Sequence, residues 1–171
     1  DLHKHRRRQR LMCIRDSCGP GHNGLDSLCS AHKLLALKYN ISIFFTHKNI
    51  HLEYVKKYDL KNSIIHSYDV CDSYTYIVDG IFGYGLNRNL ENNLIDLIKS
   101  INQSSSKVIS VDLPSGLNHA TGQPMPVSLR SELLISLLTI KRGLFTNQGR
   151  DSWKEISAVS YTHLRAHETA S

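Results

Sequence analysis

Of the 171 residues only four are cysteine, four proline, two methionine and one tryptophan. Cysteine this sparse, with no pair at C-x-x-C spacing, excludes a disulfide-stapled scaffold and a structural zinc module. Cys18, Cys29 and Cys71 form an odd set, which fits reduced thiols in a cytoplasmic protein. No apolar run approaches the ~18 residues of a membrane helix, so a membrane protein is not expected. There is no internal repeat, and the one low-complexity stretch is the short Ser104-Ser105-Ser106 turn. What remains, 40% hydrophobic and 21% charged residues, is the composition of a globular domain large enough to bury a core.

The formal charge of +6 is unevenly placed. Residues 1–17 carry six Lys and Arg against two Asp, residues 159–171 balance Arg165 against Glu168, and residues 18–158 hold 14 basic against 12 acidic side chains. A body so close to neutral offers little electrostatic drive toward nucleic acid, and no nucleic-acid partner is expected. The ends also share a coding relation. Met12–Asp16 back-translates as ATG TGT ATA AGA GAC, whose complementary strand reads GTC TCT TAT ACA CAT, the codons of Val159–His163. This inverted repeat resembles a transposase adapter used in sequencing libraries. It leads us to expect that residues 1–17 and 159–171 are non-native segments adding nothing specific to the fold, around a domain at 18–158 truncated at its N-terminus. The alternative is a natural basic arm and a natural polar tail.

Between those ends the pattern alternates. A glycine loop, Gly19-Pro20-Gly21-His22-Asn23-Gly24, leads into an amphipathic helix with Leu25, Leu28, Cys29, Leu35 and Ala36 on one face. Ile41–Phe45 reads as a strand buried on both sides, followed by a possible helix at 52–58 and a short strand at Ile64-Ile65. A strand at 74–78 ends in Asp79, before a second glycine loop at Gly80–Gly85. A helix at 90–101, a strand at Val108–Val111 ending in Asp112, and a last apolar strand at 133–140 ending at Lys141 complete the series. Such alternation predicts an α/β fold, a Rossmann-like three-layer sandwich with a mostly parallel sheet. Its first strand would be missing, or mimicked by Leu11–Ile14. Ligands of such sheets bind beyond the carboxyl ends of the strands, where both glycine loops and Asp112 fall.

Gly19, Gly21 and Gly24 satisfy G-x-G-x-x-G, but the next strand ends in Thr46-His47-Lys48 instead of the acid that would hold a ribose. An ordinary NAD dehydrogenase is therefore disfavoured, although Lys48 suits a phosphate. Asp79 and Asp112, with Asn23 and Ser115, offer hard oxygen ligands suited to a cation with a flexible shell.

Three segments together resemble the NAD(P)H-hydrate epimerases, the YjeF N-terminal domain family: Cys18–Asp26, Val78–Arg88 and Val111–Leu117. Thr121-Gly122 and Lys141-Arg142-Gly143-Leu144 extend the likeness, the last looking most like the bifunctional bacterial form. The resemblance implies interconversion of the R and S forms of hydrated NADH or NADPH by a protein that is homodimeric when full length. It implies substrate contacts at His22, Asn23, Gly24, Leu25 and Asp26, at Gly83, Tyr84, Gly85, Leu86, Asn87, Arg88 and Asn89, and at Asp112. It also implies a potassium ion held by Asn23, Asp79 and Ser115. Asp112 would be the catalytic acid, then the base, while the ring nitrogen expels the hydroxyl as water. The alternative within this resemblance is a non-catalytic binding module or a degenerate pseudo-enzyme. The family carries Asn at His22, Gly at Leu25 and Ser27, and usually Thr at Tyr84. At Leu25 a Cβ would cost roughly 1 kcal/mol or more if the backbone there is left-handed.

Overall fold

The computed structural model describes residues 12–67 and 74–159. Seven strands form one sheet: β1 (Cys13–Cys18), β2 (Asn40–Phe45), β3 (Ile64–Ile65), β4 (Tyr76–Gly80), β5 (Lys107–Val111), β6 (Ser131–Leu137) and β7 (Trp153–Val159). The helices are α1 (His22–Ala36), α2 (Leu52–Lys57) and α3 (Asn92–Gln103), with short 3-10 turns at Lys61–Ser63, Arg142–Phe145 and Asn147–Ser152. Strand order is β3-β2-β1-β4-β5-β6-β7, and every neighbouring pair is parallel. From β1 the chain steps one way to β2 and β3, and from β4 it steps the other way. The direction therefore reverses between β1 and β4, which opens a crevice at their carboxyl ends.

Parallel strands joined by crossovers that run in opposite directions from β1 and β4, and are right-handed as a rule, put helices on both faces. Alternation along β4 shows the two layers: Val78 packs in a core with Leu28 and Ala31 of α1, and Ile77 packs in another with Leu94, Leu97, Ile98 and Ile101 of α3. α3 is amphipathic because its apolar residues recur every three or four positions, so one face is buried and Asn92, Asn93 and Lys99 stay exposed. The expected α/β/α arrangement is present, and no described helix is long and apolar enough to cross a membrane.

Several details correct the sequence reading. The position of the first strand is filled by Cys13–Cys18, which overlaps the Leu11–Ile14 segment expected to mimic it and pairs with β2 on one side and β4 on the other, so residues 13–17 occupy the centre of the sheet. Part of the segment expected to be non-native thus stands in the sheet, and β7 likewise carries the sheet to Val159. Residues 1–11 and 160–171, and Cys71, lie outside the described residues. β4 runs two residues later than expected, which puts Asp79 inside the strand opposite Ser110. β6 ends at Leu137 and not Ile140, because Leu138 takes a left-handed φ of 64° and turns the chain outward. β7 had no counterpart in the sequence reading.

Burying Arg15 and Asp16 in a central strand needs compensation. The Arg15 guanidinium lies 4.2 Å from the centre of the Tyr74 ring. Asp16 accepts hydrogen bonds from Ser27 Oγ and, at 3.1 Å, from Cys18 Sγ. Burial nonetheless pushes the Asp16 pKa up to about 6, with those bonds opposing the rise. Ser27 thus has a use for its hydroxyl at a position where the sequence resemblance led us to expect glycine.

Candidate functional site

A cavity of about 720 Å³ sits over the crevice. Its walls come from the loop after β1, the loop after β4, Asp112 after β5 and the turn after β6. The first loop reaches this position by close packing of backbone: a Cβ on Gly24 would lie 2.0 Å from the Gly19 carbonyl oxygen, so only glycine fits. That oxygen also lies 2.8 Å from His51 Nε2.

Among the substrate residues expected from the sequence, His22, Asn23, Asp26, Gly83, Tyr84, Gly85, Leu86 and Asp112 line the cavity. Gly24 and Leu25 lie in the first turn of α1, outside that lining, and Asn87, Arg88 and Asn89 are exposed beyond it. Leu25 is helical, its N–H donating to the Gly21 carbonyl at 3.3 Å, and it is absent from the positive-φ positions. The strain considered for its side chain therefore does not arise.

Asp112 is held in a conformation that few residues adopt. Its φ is 69°, in the left-handed region, which costs of order 1 kcal/mol for a residue with a Cβ. One oxygen, Oδ2, accepts the Tyr84 N–H at 3.2 Å. The other, Oδ1, accepts Lys141 Nζ and, at 3.4 Å, the Leu137 N–H. A Cβ on Gly83 would meet Asp112 Oδ2 at 3.0 Å and Asn23 Cγ at 3.1 Å, so the bare glycine lets the carboxylate and the carboxamide approach from either side. Asp26 stands nearby; burial raises its pKa, His22 opposes that rise, and the Asp112 charge adds to it.

Asp79 is fully buried beneath the cavity floor. It accepts the Ser115 N–H at 2.9 Å, Ser110 Oγ at 2.7 Å, the Ile81 N–H at 3.3 Å and Ser115 Oγ. Burial pushes its pKa up and the bonds from Ser115, Ser110 and Ile81 pull it back. Asn23 differs. Its Oδ1 and Nδ2 are both buried with no hydrogen-bond partner among the described residues. Such a group in a native interior calls for a ligand, water or ion. With Ser115 Oγ 3.2 Å from the Phe82 carbonyl oxygen, the residues here are the hard oxygen donors that an alkali cation takes.

The sequence reading did not single out Lys141, Leu137–Thr139, Ile81, Phe82 or Pro20 as site residues, and all line the cavity. Lys141 had a signal, since it stands after a strand on the ligand-binding edge. His119 was also missed. Its ring packs against the exposed Tyr84 ring with centroids 4.1 Å apart and planes tilted by 42°.

Comparison with known proteins adds to this geometry. The family described as YjeF-related protein N-terminus matches residues 7–143. The chain is 35% identical over 148 residues to a bifunctional NAD(P)H-hydrate repair enzyme, Nnr, of Dictyoglomus turgidum, covering 81% of this chain and 29% of that protein. It is 32% identical over 139 residues to an NAD(P)H-hydrate epimerase of Weissella koreensis, covering 77% and 62%. It therefore spans under two thirds of either relative. The crystal structure of yeast ynu0 superposes with a TM-score of 0.71 at 21% identity, covering 86% of this chain and 66% of the yeast chain, and shares the fold.

Proposed function

The chain belongs to the YjeF-related N-terminal family, and from that premise we propose that it interconverts the R and S epimers of hydrated NADH and NADPH. The observation that carries this reading is Asp112: a carboxylate in a left-handed turn, its oxygens tethered by donors from two other segments, facing a cavity between two glycine loops. The reacting carbon of the substrate bears a hydroxyl and adjoins the ring nitrogen. Loss of the hydroxyl as water gives a flat iminium, and return of water to either face scrambles the stereocentre. The protein's task is to hold the ring, shield the iminium and manage one proton at the oxygen, with Asp112 as the acid–base centre.

Of the substrate contacts proposed, those of Gly83–Leu86 and of His22, Asn23 and Asp26 surround the same cavity, and the exposed Tyr84 ring suits a planar ring of the dinucleotide. Potassium is the cation proposed at Asn23, Asp79 and Ser115, supported by the unpartnered Asn23 oxygen. Bound there, it would supply electrostatic ordering of the two loops. A cytoplasmic setting and a homodimer in the full-length protein complete the proposal. The experiment is Asp112→Asn, which keeps side-chain size and the fold. Epimerisation should fall by at least two decades, about what acid–base catalysis supplies, while binding persists. Epimerisation at the parent rate, above the spontaneous background, would make Asp112 only a turn residue.

A further inference from the structure

Resting on the epimerase reading above, we infer that the acid half of the role given there to Asp112 belongs to Lys141, which holds the proton delivered to the departing oxygen, so that acid and base at this site are two groups held as a pair. Every partner of the Asp112 carboxylate is a donor. Oδ1 receives Lys141 Nζ and the Leu137 N–H, and Oδ2 receives the Tyr84 N–H. An ionised carboxylate accepts all of these, whereas a carboxylic acid must find an acceptor for its own O–H. No described residue accepts from Asp112, and its ion pair with the Lys141 ammonium favours the ionised form. One lone pair of Oδ2 remains, enough to accept from a substrate hydroxyl or from water.

Lys141 has the complementary inventory. Its side chain is 8% exposed and lines the cavity. An ammonium has three N–H donors; one goes to Asp112 Oδ1 and one to the Leu137 carbonyl at 2.8 Å. The third has no protein acceptor among the described residues and is left for the cavity. The pair therefore presents one free donor, on nitrogen, and one free acceptor, on oxygen, as a reaction that expels and readmits water requires.

The step balances on these two groups. The C–O bond breaks with its electrons on oxygen, the ring nitrogen's lone pair forms the C=N bond of the iminium, and a proton from Lys141 Nζ completes the departing water. Water then adds to carbon and the C=N pair returns to nitrogen. The proton that the water sheds goes to Asp112 Oδ2, and the carboxyl group returns it to the Lys141 amine, restoring the ion pair.

Arginine separates this role from that of a positive anchor, because a guanidinium keeps the charge and the donors but does not release a proton near neutral pH. Parent, Lys141→Arg and Lys141→Ala proteins are given one purified epimer of hydrated NADH, with thermal melts to establish that each is folded. We expect Lys141→Arg to hold KM within about threefold while kcat falls about a hundredfold or more, the usual worth of a general acid. Lys141→Ala should fall as far and regain activity in proportion to added ethylammonium. A kcat for Lys141→Arg within about threefold of the parent overturns the inference, as does a folded Lys141→Ala protein that ethylammonium does not rescue; the rescue decides alone if the arginine variant fails to fold. A parent protein that does not epimerise refutes the epimerase reading itself, and this inference with it.

Discussion

Replacing Asp16 with asparagine should make the protein more stable at neutral pH, although it removes a hydrogen-bonded carboxylate from the central strand. Asp16 is 1% exposed, and burial lifts its pKa from 3.8 to about 6 despite the Ser27 and Cys18 bonds, with the Asp79 charge adding to the rise. Between those values the folded chain holds a proton that the unfolded chain has released, so stability falls as pH rises through the window and levels off above it. At 1.36 kcal/mol per pKa unit, the ionised carboxylate costs roughly 3 kcal/mol at pH 7 relative to pH 3. Asparagine has no charge to desolvate and still accepts from Ser27, but its NH2 group faces the Cys18 thiol less favourably. The net gain at pH 7 should be about 1–3 kcal/mol, which at this chain length corresponds to roughly 2–10 °C in Tm. Urea unfolding of parent and variant at pH 4, 5, 6 and 7 isolates the effect, because other titrating groups largely cancel in the difference. A parent–variant difference that stays flat across this range, or an asparagine variant that is less stable at pH 7, would refute the reasoning.

Potassium should raise the thermal midpoint above that in tetramethylammonium at equal ionic strength, by mass action on the folded state, and Asn23→Ala should abolish the difference; identical melts in both salts would count against the site. Deleting residues 1–17 removes five of the six residues of β1 from between β2 and β4, so the shortened chain should show no cooperative unfolding transition by circular dichroism. Retention of the parent melting curve would show that another segment takes the central position.

Most of the architecture was legible because helix and strand periods alternate cleanly from Gly19 onward. β1 was legible only as a mimic at Leu11–Ile14, because the coding repeat set residues 1–17 aside and Arg15 and Asp16 end the apolar run; their burial depends on contacts with Tyr74 and Ser27 that are remote in sequence. β7 was obscured because, after Trp153, the exposed Lys154 and Glu155 dilute the apolar signal of an edge strand. The glycine loops and Asp112 could be placed at one edge from sequence alone, since all three follow strands. Lys141 follows a strand at the same edge, but its contact with Asp112 could not be read in that way. The apolar run of β6 continues to Ile140, and the left-handed turn at Leu138 that brings the lysine back over the sheet edge leaves no mark in the pattern.

One measurement bears most directly on the central claim. The purified chain is given a single epimer of hydrated NADH in potassium buffer, and the ratio of epimers is followed by chromatography beside a protein-free control. The account predicts approach to the equilibrium mixture well ahead of the control, and the same acceleration starting from the other epimer. An epimer ratio that tracks the control from both sides, with the protein folded and the hydrate bound, would contradict it and leave the crevice as a binding site without this chemistry.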